Sequence, residues 1–339
     1  MNTALKLSRR SFVLSAIALA ACKPGSAVLE LTGTTMGTRY SIVAVDHDGT
    51  VDKAQLQAAV DRSLARINML MSNWDASSEV SVFNASSSTA PVTVSPELAQ
   101  VVAAAEHVHA QSDGYFDITL GPVIEAWGFG APAGLSSAPE AHTVANVLTS
   151  VGQSKLSVSG TTLQKSDPAT QMYLSSIGKG FGVDYVAAAV ADLGLQDFMV
   201  EIGGDLYVSG KNRDAMSWQI GIESPDLLSA DVFDVAKASN MGLATSGDYR
   251  NFFEENGTRF SHILDPKTGR PVTHNTTSVT VLADNAMLAD AWATGLLAMG
   301  AGKGVELADE LNLAALFIER DGEGDHITTA TRGFTALQA

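Results

Sequence analysis

Residues 242–272 constrain the fold of this chain more than any other stretch; they read GLATSGDYRNFFEENGTRFSHILDPKTGRPV. Glycines and prolines recur through the segment, and their order predicts a turn, a short strand, a second turn, a strand and a third turn. Residues 261–264 are predicted to form a strand that ends beside a sharp turn at residues 265–269. A β-rich region with several tight turns is therefore expected here.

The same stretch carries polar side chains that a packed core alone does not need. Histidine is the side chain best suited to take a proton from a hydroxyl near neutral pH, so His262 is a candidate general base. The alternative interpretation is a turn-rich edge of a β domain that carries one surface histidine. Both interpretations remain open on these residues alone.

TSGDYRNFF at residues 245–253 and HILDPKTG at residues 262–269 closely resemble sequences of the FAD:protein FMN transferases, the flavin transferase or ApbE family. Further matching motifs are spread from about residue 29 to the C-terminus, so the resemblance is more specific than any single motif. We expect an α+β fold with mixed β-sheets and peripheral helices, in which two lobes enclose a flavin cleft. Ser246 and Asp248 would orient the loop or the acceptor, and Asp265 would shape the turn.

Residue patterns predict helices and strands along the rest of the chain. Helices are expected at residues 51–71, 95–111, 143–151, 174–193, 285–299 and 305–311. Strands are expected at residues 28–34, 39–45, 155–159, 161–165, 198–202, 206–209, 278–282, 314–319 and 327–330. Residues 218–222 and 232–238 are expected to continue the sheet, and residues 72–84 to form a polar loop.

The N-terminus predicts export. Residues 1–22, MNTALKLSRRSFVLSAIALAAC, combine a basic start, an apolar run too short to span a bilayer as a lasting helix, and small residues before a cysteine. The last four resemble a bacterial lipobox, in which Cys22 is lipidated and becomes the mature N-terminus. Because Cys22 is the only cysteine, no disulfide framework or thiolate metal site competes for it. Residues 8–12 also resemble a twin-arginine signal, so both the general secretory route and the twin-arginine route remain open.

These features divide the chain into a signal peptide at residues 1–21, a lipidated tether at residues 22–28 and a flavin transferase domain at residues 29–339. The expected location is the bacterial periplasm, with a lipid anchor in the inner membrane. Removing the signal takes three basic and no acidic residues, so the formal charge moves from −16 to −19. Such a surface should repel nucleic acid and anionic headgroups, which leaves the acyl chains as the membrane attachment.

Several residues are candidates for binding FAD because of the resemblance. They are Met36 in a glycine-bearing turn, Trp74 in the polar loop, Tyr115, Phe116 and Asp117 at the adenosine end, Lys179 at a glycine-rich helix start, and the backbone near Leu264. Glycines and free amides at a helix start suit a phosphate. The alternatives from the residues alone are a gap-filling methionine, a partly buried packing tryptophan and a turn-capping aspartate.

One position departs from the family pattern. Tyr173 stands where the family commonly carries an aspartate just before Leu-Ser. A phenol there supplies a different contact to the flavin or ribose, or none. Flavin affinity and orientation are the properties that this difference would change.

Asp290 and Thr294 are four residues apart in the predicted helix at residues 285–299, so they lie on one face of it. A carboxylate and a hydroxyl placed in this way suit a Mg²⁺ ion whose other ligands are waters and phosphate oxygens. The alternative is a buried hydrogen bond within an ordinary helix. The resemblance favours the metal site and adds the carbonyl of Ser176 as a third ligand.

The reaction implied by the resemblance is transfer of the FMN half of FAD to a threonine or serine hydroxyl of an acceptor protein, with release of AMP. His262 would be the base, and Asp290 would act through Mg²⁺. The implied acceptors are flavoprotein subunits of membrane redox complexes of the Na⁺-pumping NADH:quinone reductase or Rnf type. Two alternatives remain: a Mg²⁺-dependent FAD pyrophosphatase that releases FMN and AMP, and a non-catalytic periplasmic FAD-binding lipoprotein.

Overall fold

The structure, a computed structural model, describes residues 27–130, 137–225, 232–321 and 325–338. The predicted signal peptide, Cys22 and residues 22–26 of the predicted tether lie outside this part of the chain. The strands are β1 (Ala27–Thr35), β2 (Thr38–Asp46), β3 (Val92–Thr93), β4 (Leu156–Ser159), β5 (Thr162–Lys165), β6 (Asp197–Ile202), β7 (Asp205–Ser209), β8 (Trp218–Glu223), β9 (Val232–Ala238), β10 (Met241–Gly247), β11 (Phe252–Glu255), β12 (Thr258–Ser261), β13 (Leu264–Asp265), β14 (Arg270–Pro271), β15 (Thr276–Ala283), β16 (Ala314–Arg320) and β17 (His326–Ala330). The helices are α1 (Lys53–Met71), α2 (Glu79–Ala85), α3 (Pro96–Gln111), α4 (Gly121–Ala126), α5 (Ala141–Leu148), α6 (Gly178–Ala191), α7 (Ala286–Met299), α8 (Ala301–Glu310) and α9 (Arg332–Gln338).

An eight-stranded sheet with the order β1-β2-β6-β7-β10-β15-β16-β17 organises the fold, and all of its strand pairs are antiparallel. Side chains alternate across a strand, so each strand contributes to two apolar layers. In β10, Ala244 joins the layer shared with α3, α6 and α7, while Leu243 joins the layer shared with β8, β9 and α9. The combination of antiparallel sheet and packed helices confirms the predicted α+β class.

The structure corrects several local predictions. Residues 218–222 and 232–238 do not continue the central sheet; β8 and β9 form a separate two-stranded hairpin. The inward side chains of β8, Trp218, Ile220 and Ile222, pack on the sheet instead of extending it. The predicted loop at residues 72–84 contains all but the last residue of α2, whose first turn is capped by Ser78 accepting a hydrogen bond from Ser81 N at 3.1 Å.

The remaining differences concern helix ends and short helices. The helix expected from residue 174 begins at Gly178, and α8 begins at Ala301. The short helices α4 and α9 were not predicted. None of the described helices combines the length and the apolar character needed to cross a bilayer.

The start of α7 is fixed by close contacts with α6 and β10. A Cβ on Gly180 would lie 2.2 Å from Ala286 O, and a Cβ on Gly242 would lie 2.2 Å from Ala286 N. The Asp184 carboxylate accepts hydrogen bonds from Ala286 N at 2.8 Å and from Met287 N at 2.9 Å. These contacts set the position of the helix that carries Asp290 and Thr294.

We expect Gly242→Ala to lower the free energy of unfolding by about 1–3 kcal/mol, because the added methyl group overlaps the first residue of α7. Gly302→Ala is the matched control: Gly302 is exposed on α8 and an added Cβ meets nothing within 4 Å. That control should leave stability unchanged or raise it slightly. Urea unfolding of both variants measures the difference, and equal midpoints would contradict the close packing.

Candidate active site

One cavity of about 710 Å³ collects most of the predicted site residues. Its walls include the ends of β6, β7 and β10, the start of α6, part of α7, and the loop around residues 249–251. Ten of the twelve predicted FAD, metal and catalytic residues line it: Tyr115, Phe116, Asp117, Tyr173, Ser176, Lys179, His262, Leu264, Asp290 and Thr294. Met36 and Trp74 are not among the lining residues.

Met36 lies in the two-residue turn between β1 and β2, with a φ of +49° followed by +72° at Gly37. Its side chain contacts two apolar clusters, and a Cβ on Gly182 would lie 2.8 Å from its Cε. This placement matches the gap-filling alternative for a methionine. A contact between Met36 and flavin stays a prediction.

Trp74 is 61% exposed, and its ring lies edge-on to the ring of Tyr173 at a centroid distance of 5.9 Å. Tyr173 itself is buried and lines the cavity. Its backbone is held on both sides: Asn73 and Asn84 each donate to Met172 O at 2.8 Å, and Tyr173 N donates to Ile118 O at 2.7 Å. The two asparagines, which the sequence did not single out, thus fix the tyrosine at the cavity wall.

The carboxylate of Asp117 is occupied by contacts within the protein. Its Oδ1 accepts hydrogen bonds from Thr119 N at 2.7 Å and from Thr119 Oγ1 at 2.5 Å, and its Oδ2 accepts one from Gln153 N at 3.1 Å. These bonds match the turn-capping alternative. The residue borders the cavity, so a contact to FAD remains compatible with its position.

Three charged residues form a cluster at the cavity wall, where Lys179 and Asp290 line the cavity and Asp205 is buried behind them. The ammonium group of Lys179 pairs with the carboxylate of Asp205 and lies 3.9 Å from Asp290 Oδ1. Burial alone would lower the pKa of Lys179, but the two carboxylates outweigh it and raise that pKa. Burial and the nearby Asp290 raise the pKa of Asp205, against the opposing effect of Lys179. The lysine therefore stays charged across the physiological range.

The predicted metal ligands border this cluster and supply only oxygen atoms. Asp290 Oδ2 accepts a hydrogen bond from Gly180 N at 3.0 Å, and Thr294 Oγ1 lies 3.0 Å from Ser246 Oγ. Ser176 lines the same cavity. Within the described residues no three His, Cys, Asp or Glu side chains form a metal-binding group. A carboxylate with hydroxyl and carbonyl oxygens fits Mg²⁺, which keeps several waters and binds few carboxylates.

His262 lies between two strands rather than within one. The strand predicted at residues 261–264 is interrupted: β12 ends at Ser261 and β13 begins at Leu264. The backbone N–H of His262 and its ring Nδ1 both lie 3.0 Å from Asn251 O. The gap between β12 and β13 lets the imidazole reach the cavity, while the backbone N–H and ring Nδ1 of His262 both bond to the Asn251 carbonyl.

The hydrogen bond to Asn251 sets the tautomer of His262. A carbonyl oxygen can only accept, so Nδ1 must carry the proton and Nε2 of the neutral ring keeps its lone pair. Burial lowers the pKa of His262, against smaller opposing effects from Asn251 O and Asp248. The side chain is thus a neutral base near pH 7, as general-base catalysis requires.

Two aspartates near His262 have structural contacts. Asp248 is buried and receives salt bridges from Arg259 at 2.7 Å and from Arg320 at 2.8 Å, which tie the β11–β12 hairpin to the central sheet. Asp265 accepts a hydrogen bond from Lys267 N at 2.9 Å within the predicted turn. The predicted role of Asp265 in shaping that turn agrees with this contact.

Comparison with known sequences identifies the family. The profile of the ApbE family matches residues 36–317, which is most of the chain. This chain belongs to the ApbE family. Two ApbE relatives named FAD:protein FMN transferase support the assignment. The one from Haemophilus influenzae is 39% identical over 333 residues, covering 96% of each chain, and the one from Vibrio cholerae is 38% identical over 310 residues, covering 91% of this chain and 93% of the relative.

Solved ApbE structures have the same fold. The flavin transferase ApbE from Vibrio cholerae superposes with a TM-score of 0.86 at 36% identity, covering 92% of this chain and 99% of that one. The apo form of the flavinyl transferase ApbE from Pseudomonas stutzeri gives a TM-score of 0.85 at 35% identity, covering 92% and 97%. The predicted ApbE-like fold is therefore confirmed.

Two charged residues of the cavity wall were not predicted from the sequence. Arg250 and Glu223 form an ion pair there. Arg250 lies inside the motif TSGDYRNFF and is its only cation, which was an available signal. No signal linked it to Glu223, because the two residues are 27 positions apart in the chain.

Proposed function

We propose that this chain transfers the FMN half of FAD to a threonine or serine hydroxyl of an acceptor protein and releases AMP. The observation that carries the proposal is one cavity lined by an imidazole with a free Nε2, a partly exposed lysine and an oxygen ligand set. The two relatives are named FAD:protein FMN transferase, which supports the same reaction for this chain.

The proposed step is a substitution at the phosphorus of the FMN half. The acceptor hydroxyl oxygen forms a new bond to that phosphorus, and the bond from phosphorus to the oxygen of the AMP phosphate breaks. His262 Nε2 takes the hydroxyl proton as the bond forms, which contributes about 10²–10⁴-fold to the rate. AMP leaves with the bridging oxygen, so the acceptor carries a phosphoester.

Negative charge on the pyrophosphate must be neutralised for this attack. Lys179 stays charged and lies at the wall where the start of α6 faces the cavity, so it suits a phosphate oxygen. Asp290, Thr294 and the Ser176 carbonyl would hold Mg²⁺. When bound, the ion polarises phosphoryl oxygens and stabilises the charge that develops on the leaving group.

Acceptor labelling separates this proposal from its two alternatives. The purified protein is incubated with FAD, Mg²⁺ and the FMN-accepting subunit of a Na⁺-pumping NADH:quinone reductase; an Rnf-type subunit is the second substrate. Covalent flavin fluorescence on the subunit supports transfer. FMN and AMP without labelling would indicate a pyrophosphatase, and unchanged FAD would indicate a carrier.

We also propose a periplasmic location with a lipid anchor at Cys22, on the strength of the lipobox-like sequence at residues 19–22. Cys22→Ser removes the thiol that carries the lipid, so the variant should move from the detergent-extracted membrane fraction to the soluble or unprocessed fraction. Ser26→Ala, four residues along the tether, is the control and should stay in the membrane. Fractionation with mass spectrometry of the N-terminus measures this, and a membrane-bound, processed Cys22→Ser protein would contradict it.

A further inference from the structure

One edge of β8 faces the cavity. The hairpin contains only β8 and β9, so each of its strands has an edge that no other described strand pairs with. Ile220 and Gly221 line the cavity, and so does Glu223, whose side chain points to the face of the hairpin opposite that of Ile220. Residues from both faces meet the same space only along the edge of a strand. The free edge of β8 therefore forms part of the cavity wall.

The direction of the backbone groups on this edge follows from β9. Lys237 lies opposite Gln219, and Val235 lies opposite Gly221. Lys237 N donates to Gln338 Oε1 at 2.7 Å, and Val235 N donates to Asp234 Oδ1 at 2.7 Å, so neither N–H points at β8. Directly opposed residues of an antiparallel pair either exchange both hydrogen bonds or make none with each other.

Gln219 and Gly221 must then point their own N–H and C=O groups away from β9, toward the free edge. Neither backbone makes a hydrogen bond with any residue that the structure describes. Two unpaired donors and two unpaired acceptors thus lie along the free edge of β8 at the spacing of a β-ladder, and those of Gly221 border the cavity. Such a row is a template for another extended chain.

We propose that the acceptor protein docks an extended segment as a third strand on the free edge of β8, which brings its hydroxyl residue into the cavity beside His262. The inference rests on the proposed function, because that reaction requires a polypeptide in this cavity. The docked segment would form backbone hydrogen bonds with Gln219 and Gly221.

The surroundings of the edge define the side chains that the docked segment would carry. Residues of the segment that face inward meet Ile220, Leu206 and Leu243, which are apolar and line the cavity. Residues that face outward lie beside Gly221, where an added Cβ would come within 3.1 Å of Val232 Cγ2, and Val232 is itself 62% exposed. The inner face of the segment should therefore carry one hydroxyl residue, with small apolar residues at the positions two residues before and after it.

Gly221→Pro tests the ladder. Proline removes the N–H that points to the free edge and places its ring there, while the bonds between β8 and β9 come from the neighbouring residues and are kept. We expect the KM for the acceptor subunit to rise about tenfold or more, with the Kd of FAD unchanged. Gly221→Ala retains the N–H and separates the effect of the added methyl group, which comes within 3.1 Å of Val232 Cγ2, from the loss of the donor; its KM for the acceptor should rise less than that of the proline variant.

Hydrogen exchange supplies a measurement that does not depend on the variant folding. The acceptor subunit with its target hydroxyl residue replaced by alanine is added to the wild-type chain, and exchange of the Gln219 and Gly221 amides is followed. Slower exchange at both amides is expected. Unchanged exchange, or a proline variant with normal acceptor KM, overturns the inference.

Two other results also have a definite meaning. A weaker Kd for FAD with normal acceptor KM in Gly221→Pro would place the dinucleotide on the edge and overturn acceptor docking. Failure of the proposed function looks different: the wild-type chain then leaves the intact acceptor unlabelled. In that case protection of the two amides by the hydroxyl-free acceptor still decides whether docking occurs.

Discussion

Replacing His262 with alanine should lower the rate of FMN transfer about 10²–10⁴-fold, because the acceptor hydroxyl loses its proton acceptor. The Kd of FAD should change little, since the imidazole is placed to act on the hydroxyl and not on the dinucleotide. The measurement is the rate of covalent labelling of the acceptor at saturating FAD, together with a separate titration of FAD binding.

His142→Ala is the matched control, because His142 is an exposed histidine on α5, away from the cavity lining. It should transfer FMN at the wild-type rate. A His262→Ala protein with full transfer activity would remove the imidazole from the mechanism. Loss of FAD binding in that variant would show instead that the residue holds the substrate.

The pH dependence of the wild-type rate follows from the same imidazole. The base works only when Nε2 is unprotonated, so transfer should fall as pH falls through the pKa of His262. Burial lowers that pKa below the ordinary histidine value of 6.5. The acidic limb of the pH profile should therefore lie below pH 6.5 and disappear in His262→Ala, and a limb near pH 8 would contradict the assignment.

Asp290→Asn is expected to lower transfer about 10²-fold or more, because the change removes the only carboxylate of the predicted Mg²⁺ ligand set. The amide oxygen can still accept the hydrogen bond from Gly180 N, so the substitution changes the charge and keeps the shape of the site. A Mg²⁺ titration of the transfer rate measures the effect, and the wild-type response should flatten in the variant.

Asp284→Asn provides the control for Asp290. It is an exposed aspartate just before the same helix, and it does not line the cavity. Its Mg²⁺ titration should match that of the wild-type chain. An Asp290→Asn protein whose Mg²⁺ titration is unchanged would remove this carboxylate from the metal site.

The central strands and long helices could be predicted because each of their residue patterns is typical of a single kind of secondary structure. In β2 the buried Tyr40, Ile42 and Ala44 alternate with less buried residues, and α1 repeats apolar residues at helical spacing behind the cap of Asp52. The alternation of buried and exposed residues in β8 is compatible with two placements of the strand. Trp218, Ile220 and Ile222 are buried whether the strand extends the sheet or lies across it, so the sequence could not place the hairpin.

Some features of the candidate site could likewise be predicted from the sequence, and others could not. Asp290 and Thr294 share a helix face, and their proximity follows from helix geometry alone. The tautomer of His262 depends on the direction of a carbonyl at Asn251, eleven residues earlier in a loop, and no residue pattern encodes that direction. The pairing of Lys179 with Asp205 likewise depends on how α6 meets β7, which only packing determines.

The most direct test of FMN transfer is the mass of the acceptor subunit after incubation with this chain, FAD and Mg²⁺. We predict a gain equal to FMN less one water, located on a single threonine or serine, with one AMP released for each modified subunit. An unmodified subunit accompanied by free FMN and AMP would contradict the proposed transfer.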